Sequence, residues 1–433
     1  MSWLNMFGKA GKPTERKAAD LSPLQRLMSI TLGRDENPYT YQKAVSEGYF
    51  DNDIIYSGVD LVASNFASVP LQVKEIGADG EQRDATSQEA QRLRQLLARP
   101  NILQSGTEWL YAVAAFRSLG GDGYTRLITS SPGSYDEQPS EMFPVSPPSV
   151  DLRTDTGNMF YQYNPASDFS GMNQSANFPI DLITGNSNIM QWGSFNPNTI
   201  ASGTSPLQAA NLNSDIYRFG NIWNRAYFKS GCRPSFALES TAAEGLSDEE
   251  FNRLKKELEE NYSGLENGNG RPLLLERAKA HTLSQSPKDA DFSVSHDQQA
   301  RDVSRTLKIP PILLSMGSDT TFANLEAANL MLWEGTIIPL WQSFSQTLNY
   351  QLTPRYGDNI IVVPDFSKIP ALEPRRKEAW ERAQNAQFLT VDEKRKLVGL
   401  DPTSGGNVIL VGSNMIPLDV ASSFSNLGDE SNI

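Results

Sequence analysis

The sequence is poor in the residues that most often carry chemistry. Its 433 residues include one cysteine, Cys232, and two histidines. A single thiol makes no intramolecular disulfide and no thiolate metal cage, and a structural zinc site needs four nitrogen or sulfur ligands. His281 lies in the alternating stretch 280–283, and His296 in Ser295-His296-Asp297, which reads as the first turn of a helix. Adjacent side chains point apart, so that tripeptide is no catalytic triad, and both histidines read as structural. No cofactor and no metal is expected. Also missing are a GxxxxGK[ST] loop and a GxGxxG turn after a strand; the nearest approach, at 266–270, is a turn cluster. No run of eighteen apolar residues occurs, which excludes a helical membrane span. The first nine residues lack the apolar stretch of a secretory signal, and with the lone cysteine this predicts assembly in a reducing cytoplasm.

Acid is what the chain has in excess: 51 Asp and Glu against 38 Lys and Arg, a net charge of −13. A protein that grips duplex nucleic acid shows a basic face, because its affinity comes from neutralising phosphates. This chain as a whole does the reverse. The balance is uneven, with six basic and two acidic residues in 1–34, and Arg153 alone against Asp151, Asp155, Asp168 and Asp181 in 143–213. The length leaves room for two to four domains, and 39% apolar with 21% charged residues is ordinary for a folded chain.

Residues 1–39 read as a loosely held arm, with Gly8, Gly11 and Pro13 among mixed charges. Tyr56, Val59, Val62, Ala63 and Phe66 recur at helical spacing, and 70–73 alternates as a strand. Ser105 with Glu108 forms a capping box that opens an apolar helix; Gly120-Gly121-Asp122-Gly123 ends it before a strand at 124–128. Residues 143–200 are rich in Pro, Asn, Ser and Gly, with short strand-like pieces such as 159–163. Ser205-Pro206 starts a helix whose apolar set from Leu207 to Tyr227 predicts about 25 residues, roughly 38 Å. A compact insert follows: a strand at 234–238, a capping box from Ser247 to Glu250 and a strand at 272–276. A return helix from about Ser293 to Leu307 then leads to Ile309-Pro310-Pro311. The next helix, from Thr320-Thr321 to Leu348, contains Pro339, whose ring meets the carbonyl of Gly335, and one long kinked helix is predicted. A strand at 359–363 and a densely charged helical tail from Pro374, with a third capping box from Thr390 to Glu393, complete an α+β chain.

Several short stretches recur in a telling order. They are Tyr56-x-x-Val59 through Val69-Pro70-Leu71, the Gly121-Asp122-Gly123-Tyr124 turn, 143–150, Gly203-Thr204-Ser205-Pro206-Leu207, and Lys308-Ile309-Pro310-Pro311-Ile312-Leu313-Leu314. Phe322-Ala323-Asn324-Leu325-Glu326, Phe388-Leu389-Thr390 with Glu393 and Arg395, and Gly405-Gly406-Asn407 follow. Their succession across residues 45–420 resembles the portal proteins of tailed bacteriophages, in the large family typical of long-tailed, lambda-like phages. The stretch 188–192, where relatives often carry a histidine-containing strand, and an elaborated 164–200 depart from the pattern.

The resemblance implies a phage portal fold: an arm at 1–39, a first wing part at 40–203, a stem helix at 204–230 and a small α/β clip at 231–291. A return stem helix at 292–308, a channel loop, kinked channel helix and second wing part at 309–370, and a helical crown at 371–433 complete it. It puts Ser318, Asp319, Thr320 and Thr321 in a channel loop facing DNA, with Gly335 and Pro339 at the kink of the channel helix. Glu249, Lys255, Lys256 and Arg271 become clip positions for partner docking, and Arg375, Arg376 and Lys377 basic crown positions. No catalytic residue is implied. The partners implied are further copies of the chain in a homo-dodecameric ring, double-stranded DNA passing without sequence specificity, a terminase large subunit, a head–tail adaptor and a major capsid or scaffolding protein, with no membrane. The place implied is the portal vertex of the virion, and host cytoplasm during assembly. A head-to-tail contact repeated around an axis closes such a ring. Twelve copies at −13 each carry roughly −156, which suits a bore through which DNA slides with shallow binding. Two other readings stay open: another oligomeric virion component, of the tail or baseplate, and a carbohydrate-active enzyme with two carboxylates about 5–10 Å apart.

Overall fold

Side-chain caps set where the helices begin. The Ser105 hydroxyl accepts from the Glu108 N–H while the Glu108 carboxylate accepts from the Ser105 N–H, and Thr390 and Glu393 repeat the arrangement. Asn52 accepts from the Ile54 and Ile55 N–H groups at the start of a further helix. The computed structural model describes residues 39–130, 137–155, 157–165, 175–229, 236–240, 278–282, 292–316 and 321–409, with positions 247, 249, 252, 253 and 256. The chain divides into Met1–Thr40 and Tyr41–Ile433, and the second unit holds the helices and sheets.

That unit runs α1 (Asp53–Ala67), β1 (Leu71–Ile76), β2 (Gln82–Asp84), α2 (Gln88–Ala98), α3 (Gly106–Gly120) and β3 (Asp122–Ile128). Strands β4 (Glu141–Val145), β5 (Val150–Asp155), β6 (Asn158–Tyr163), β7 (Ala176–Pro179) and β8 (Ile189–Gly193) follow. A helix pair, α4 (Asn211–Lys229) and α5 (Phe292–Thr306), flanks the strands β9 (Phe236–Ser240) and β10 (Ala278–Thr282). The chain closes with α6 (Phe322–Leu332), α7 (Ile338–Gln351), β11 (Ile360–Pro364), α8 (Glu373–Asn385) and α9 (Val391–Leu397). Among the described residues the strand pairs are antiparallel: β11-β1-β2, β4-β3-β8, β5-β6-β7 and β9-β10.

The core forms where α1, α3, α7 and β8 meet. Phe66 of α1 stacks on Trp341 of α7, with ring centroids 4.2 Å apart and planes at 9°, and on Trp192 of β8 at 5.2 Å. Phe344 lies against Phe66, Trp109, Trp192 and Trp341. Each tryptophan finds an acceptor for its indole N–H: Trp341 donates to the Phe66 carbonyl (2.9 Å), Trp192 to Ser343 Oγ (3.1 Å) and Trp109 to Thr125 Oγ1 (3.2 Å). Burying one such ring contributes about 2–3 kcal/mol, and each offset pair adds about 0.5–1.5 kcal/mol. A smaller core of Tyr124, Val145, Val150, Tyr161, Tyr163 and Ile189 joins the β3 and β6 sheets.

Two glycines mark a close crossing. Gly121 ends α3 in the left-handed region (φ 89°), and a Cβ on Gly203 would fall 2.3 Å from the Gly121 carbonyl oxygen. Beside them buried Asp122 accepts from the Gly203 N–H (2.6 Å) and from Gln191 Nε2 (2.9 Å). Burial raises the Asp122 pKa against the pull of those hydrogen bonds. The neighbouring Arg117 lies over the Trp192 ring at 4.4 Å, and burial pushes its guanidinium down to about 10.

Some expectations need amendment, and others lie outside the described residues. The single helix expected from Ser205 breaks: Pro206–Ala209 is a separate turn of helix, and Ala210 (φ −92°, ψ 0°) redirects the chain before α4. The Ala210 N–H bonds to Leu207 three residues back, and Asn211, Asn213 and Ser214 follow, side chains that compete with helical backbone bonding. Nineteen residues give α4 roughly 28 Å rather than 38 Å. His296 is the fifth residue of α5 rather than in its first turn, because the helix starts at Phe292. The strand expected at 272–276 and two of the four positions of the capping box at 247–250 lie outside the described residues, and the strand that pairs with β9 is β10, which holds His281.

Gly203→Ala is expected to lower the free energy of unfolding by roughly 2–3 kcal/mol, since backbone faces backbone at the crossing. Chemical denaturation followed by tryptophan fluorescence measures it; an unchanged midpoint would mean the two segments separate without cost.

Candidate functional site

Three neighbouring features stand out in the structure: the helix pair α4–α5, its anchorage and the bent helix that follows. The anchorage is polar. Lys43 Nζ donates to Asp215 Oδ2 (2.7 Å) with both side chains buried, and Asn52 Nδ2 donates to Ser214 Oγ (3.2 Å). Tyr217 donates to Asp53 Oδ1 (2.9 Å); burial first, and then that bond, push its phenol up to about 12. Arg218 reaches Glu47 (3.0 Å) and Asp51 (3.5 Å). The start of α4 is thus tied to residues 43–53 through four of its side chains, and α4 packs along α5.

The exit from α5 is built on a left-handed lysine. The Ile309 N–H donates to the Ser304 carbonyl and the Lys308 N–H to the Arg305 carbonyl, both at 3.0 Å, with Lys308 at φ 57° in the position glycine usually takes. Pro310 and Pro311 then stiffen a short 3₁₀ turn that ends at Ser315, again left-handed at φ 59°. Such backbone costs about 1–2 kcal/mol per non-glycine residue and persists only where its surroundings hold it. Here Thr336 Oγ1 donates to the Lys308 carbonyl (2.8 Å), fastening this turn to the bend of the next helix.

That bend is a π turn, Trp333–Ile337, between α6 and α7. The Ile338 N–H donates to the Trp333 carbonyl, one residue further back than in an α-helix, directly before Pro339, which has no N–H to give. Trp333, Thr336 and Ile337 are buried, whereas Glu334, Gly335 and Pro339 face outward. A Cβ on Gly335 would meet nothing within 4 Å, so space is not what calls for glycine there. From the exposed side Arg375 of α8 grips Glu334 with two hydrogen bonds, Nε to Oε1 (2.6 Å) and Nη2 to Oε2 (3.2 Å), and also reaches Glu378. These bonds hold the Glu334 carboxyl below the usual glutamate range and raise the Arg375 pKa.

The residues singled out in the sequence distribute as follows. Ser318, Asp319 and Thr320 lie outside the described residues, and Thr321 caps α6 by accepting from the Asn324 N–H (3.3 Å). Glu249 and Lys256 are exposed helical positions, while Lys255 and Arg271 lie outside the described residues. Arg376 pairs with Glu373 and donates to the Phe366 and Ser367 carbonyls, and Lys377 is exposed. The structure brings Arg375 to the bend beside Gly335, a juxtaposition that sequence reasoning missed because Glu334 and Arg375 stand 41 positions apart. Among the described residues no group of His, Cys, Asp and Glu is arranged to hold a metal ion, and no helix is long and apolar enough to cross a membrane.

Gly335→Ala is expected to raise stability by about 0.5–1 kcal/mol, read from the denaturation midpoint; a loss would show that the bend requires glycine. Because Glu334 is depressed in the folded state, its contribution is complete above the unfolded glutamate pKa and disappears as pH falls through the lower folded value. Glu334→Gln therefore flattens the fall of melting temperature with acid below about pH 4.3. An identical acid limb for both proteins would contradict this.

The fold has counterparts among known proteins. The phage portal protein family model matches residues 53–399. An uncharacterized protein of Rickettsia felis is 32% identical over 364 residues, 83% of this chain and 90% of that one. A subunit in the neck of an empty gene transfer agent particle, solved with sixfold symmetry, superposes with a TM-score of 0.62 at 29% identity, covering 85% of this chain and 95% of its own. One from the neck of a native particle, solved with twelvefold symmetry, gives 0.60 at 26%, covering 87% and 100%. With four-fifths of its length matched in element order and fold, the chain belongs to the phage portal protein family.

Proposed function

We propose that twelve copies of this chain form a ring at one vertex of a capsid, and that double-stranded DNA passes through its centre during packaging and ejection. The observation that carries this reading is the likeness, across 87% of the chain, to a neck subunit arranged with twelvefold symmetry. In this reading 40–203 and 309–370 form the wing, 204–230 and 292–308 the stem, 231–291 the clip and 371–433 the crown. The loop that ends at Thr321, with Ser318, Asp319 and Thr320, lies toward the bore. The bend at Gly335 and Pro339 sets the angle of the helix that carries this loop.

The chain acts as a mount and conduit, and the motor is a separate terminase that docks on the clip through Glu249, Lys255, Lys256 and Arg271. A head–tail adaptor takes that face afterwards, and capsid or scaffolding protein contacts the wing. The charge balance supports a weak hold on DNA. Net charge is −13 per chain, and the guanidinium groups of Arg375 and Arg376 are already matched by Glu334, Glu378 and Glu373. A tight duplex clamp would need several free Lys or Arg contacts, each adding close to one unit to the salt slope. The protein works in the virion and assembles in the host cytoplasm.

Negative-stain images of the purified protein should show twelvefold rings with a central hole. Isolated rings should bind duplex DNA weakly and with a shallow salt dependence. A monodisperse monomer, or a steep salt slope with tight binding, would overturn the reading.

A further inference from the structure

The groove between α8 and α9 is lined by Ala379, Ala386, Phe388, Leu389 and Leu397, and encloses about 810 Å³. Phe388 is 78% exposed and Leu397 56%. Single exposed apolar residues are ordinary, but a groove that gathers several of them marks a contact surface. The chain itself comes back to this place. After α9 the Thr403 N–H donates to Asp392 Oδ1 (2.8 Å), the Asp392 N–H to the Gly406 carbonyl (2.9 Å) and the Val391 N–H to the Val408 carbonyl (3.1 Å). Ile409 then forms an antiparallel bridge with Thr390. Residues 406–409 thus run backwards past the start of α9, heading toward Leu389 and Phe388. The sequence continues Leu410-Val411-Gly412-Ser413-Asn414-Met415-Ile416-Pro417-Leu418, which lies outside the described residues, and no charged side chain stands between Asp401 and Asp419.

We propose that the segment 410–418 of the same chain is the occupant of this groove, laid across it as an extended strap with Leu410 and Val411 against Leu389 and Phe388. The direction of the bridge at Ile409 carries the chain there. Reach is sufficient, since nine extended residues span roughly 30 Å and the thirteen residues of α8 roughly 20 Å. The chemistry matches, an uncharged and largely apolar segment on an apolar groove. Tethering decides between this occupant and a free one: a segment joined directly to the groove acts at an effective concentration on the order of millimolar, so a separate partner must bind more tightly than that to displace it. The strap also answers a need of α9, whose seven residues are too few to hold a helix without packing. Because α8 carries Arg375, which grips Glu334, the strap closes the helix pair that braces the bend. It is a property of one subunit and needs no ring.

The test uses full-length protein in a Cys232→Ser background. Phe388→Cys should react with maleimide at least tenfold more slowly than the same cysteine in a chain that also carries Val411→Asp and Ile416→Asp. Circular dichroism should agree between the two, because the added charges fall outside α8 and α9. In a second variant Phe388→Cys is combined with Val411→Cys. Mild oxidation should close a disulfide within one chain, seen as a faster monomer band on a non-reducing gel. Cross-linked dimers in place of that band would mean that a second copy supplies the segment, and would overturn the proposal. So would equal maleimide rates with and without the aspartates, or a cysteine pair that stays reduced.

Discussion

The stack of Phe66 against Trp341 and Trp192 is the contact on which the rest of the unit depends. It closes a loop of 275 residues: α1, before the helix pair, meets α7, after it, and Trp341 donates its indole proton to the Phe66 carbonyl across that interval. Closing so long a loop is costly in chain entropy, yet that cost grows only logarithmically with length, and a dense apolar contact outweighs it. The core is thus completed by residues on either side of the helix pair α4–α5.

Polar contacts supply direction rather than cohesion. A buried ion pair such as Lys43–Asp215 gains little over an apolar pair of the same size, since desolvation offsets most of the attraction. Removing one partner would strand a charge, so the pair admits very few arrangements of α4 relative to residues 43–53. The Asp122 site acts in the same way at the other end of the connection. Its carboxylate accepts from Gly203 and Gln191, and Ser205 donates to the Ser118 carbonyl (2.9 Å), so the turn after α3 and the approach to α4 form one joint.

The bend between α6 and α7 shows a third kind of constraint, a backbone that departs from regular geometry and is held by its neighbours. Pro339 removes a donor, and the π turn accommodates the loss by shifting the bonding register one residue. Thr336 ties its buried side to the left-handed Lys308, and Arg375 ties its exposed side through Glu334. The helix thus cannot change its angle without disturbing both the end of α5 and the start of the C-terminal helices.

The sequence by itself determined the local events. The capping boxes at Ser105 and Thr390, the left-handed stop at Gly121, the strands at 124–128 and 359–363, the bend before Pro339 and the order of elements were all legible. Each depends on residues within about one helical turn, where backbone hydrogen bonding and side-chain shape decide the outcome. Tertiary structure decided the rest. Nothing local says that Lys43 will meet Asp215, 172 positions on, that Gly203 must be bare because Gly121 passes behind it, or that Ala210 will break a helix that the apolar spacing continues. Four of the short stretches that carry the family likeness meet in two pairs, Gly121 against Gly203 and Asp392 against Gly406. Such pairings come from packing between distant segments, and each strand of sequence carries only half of the information for them.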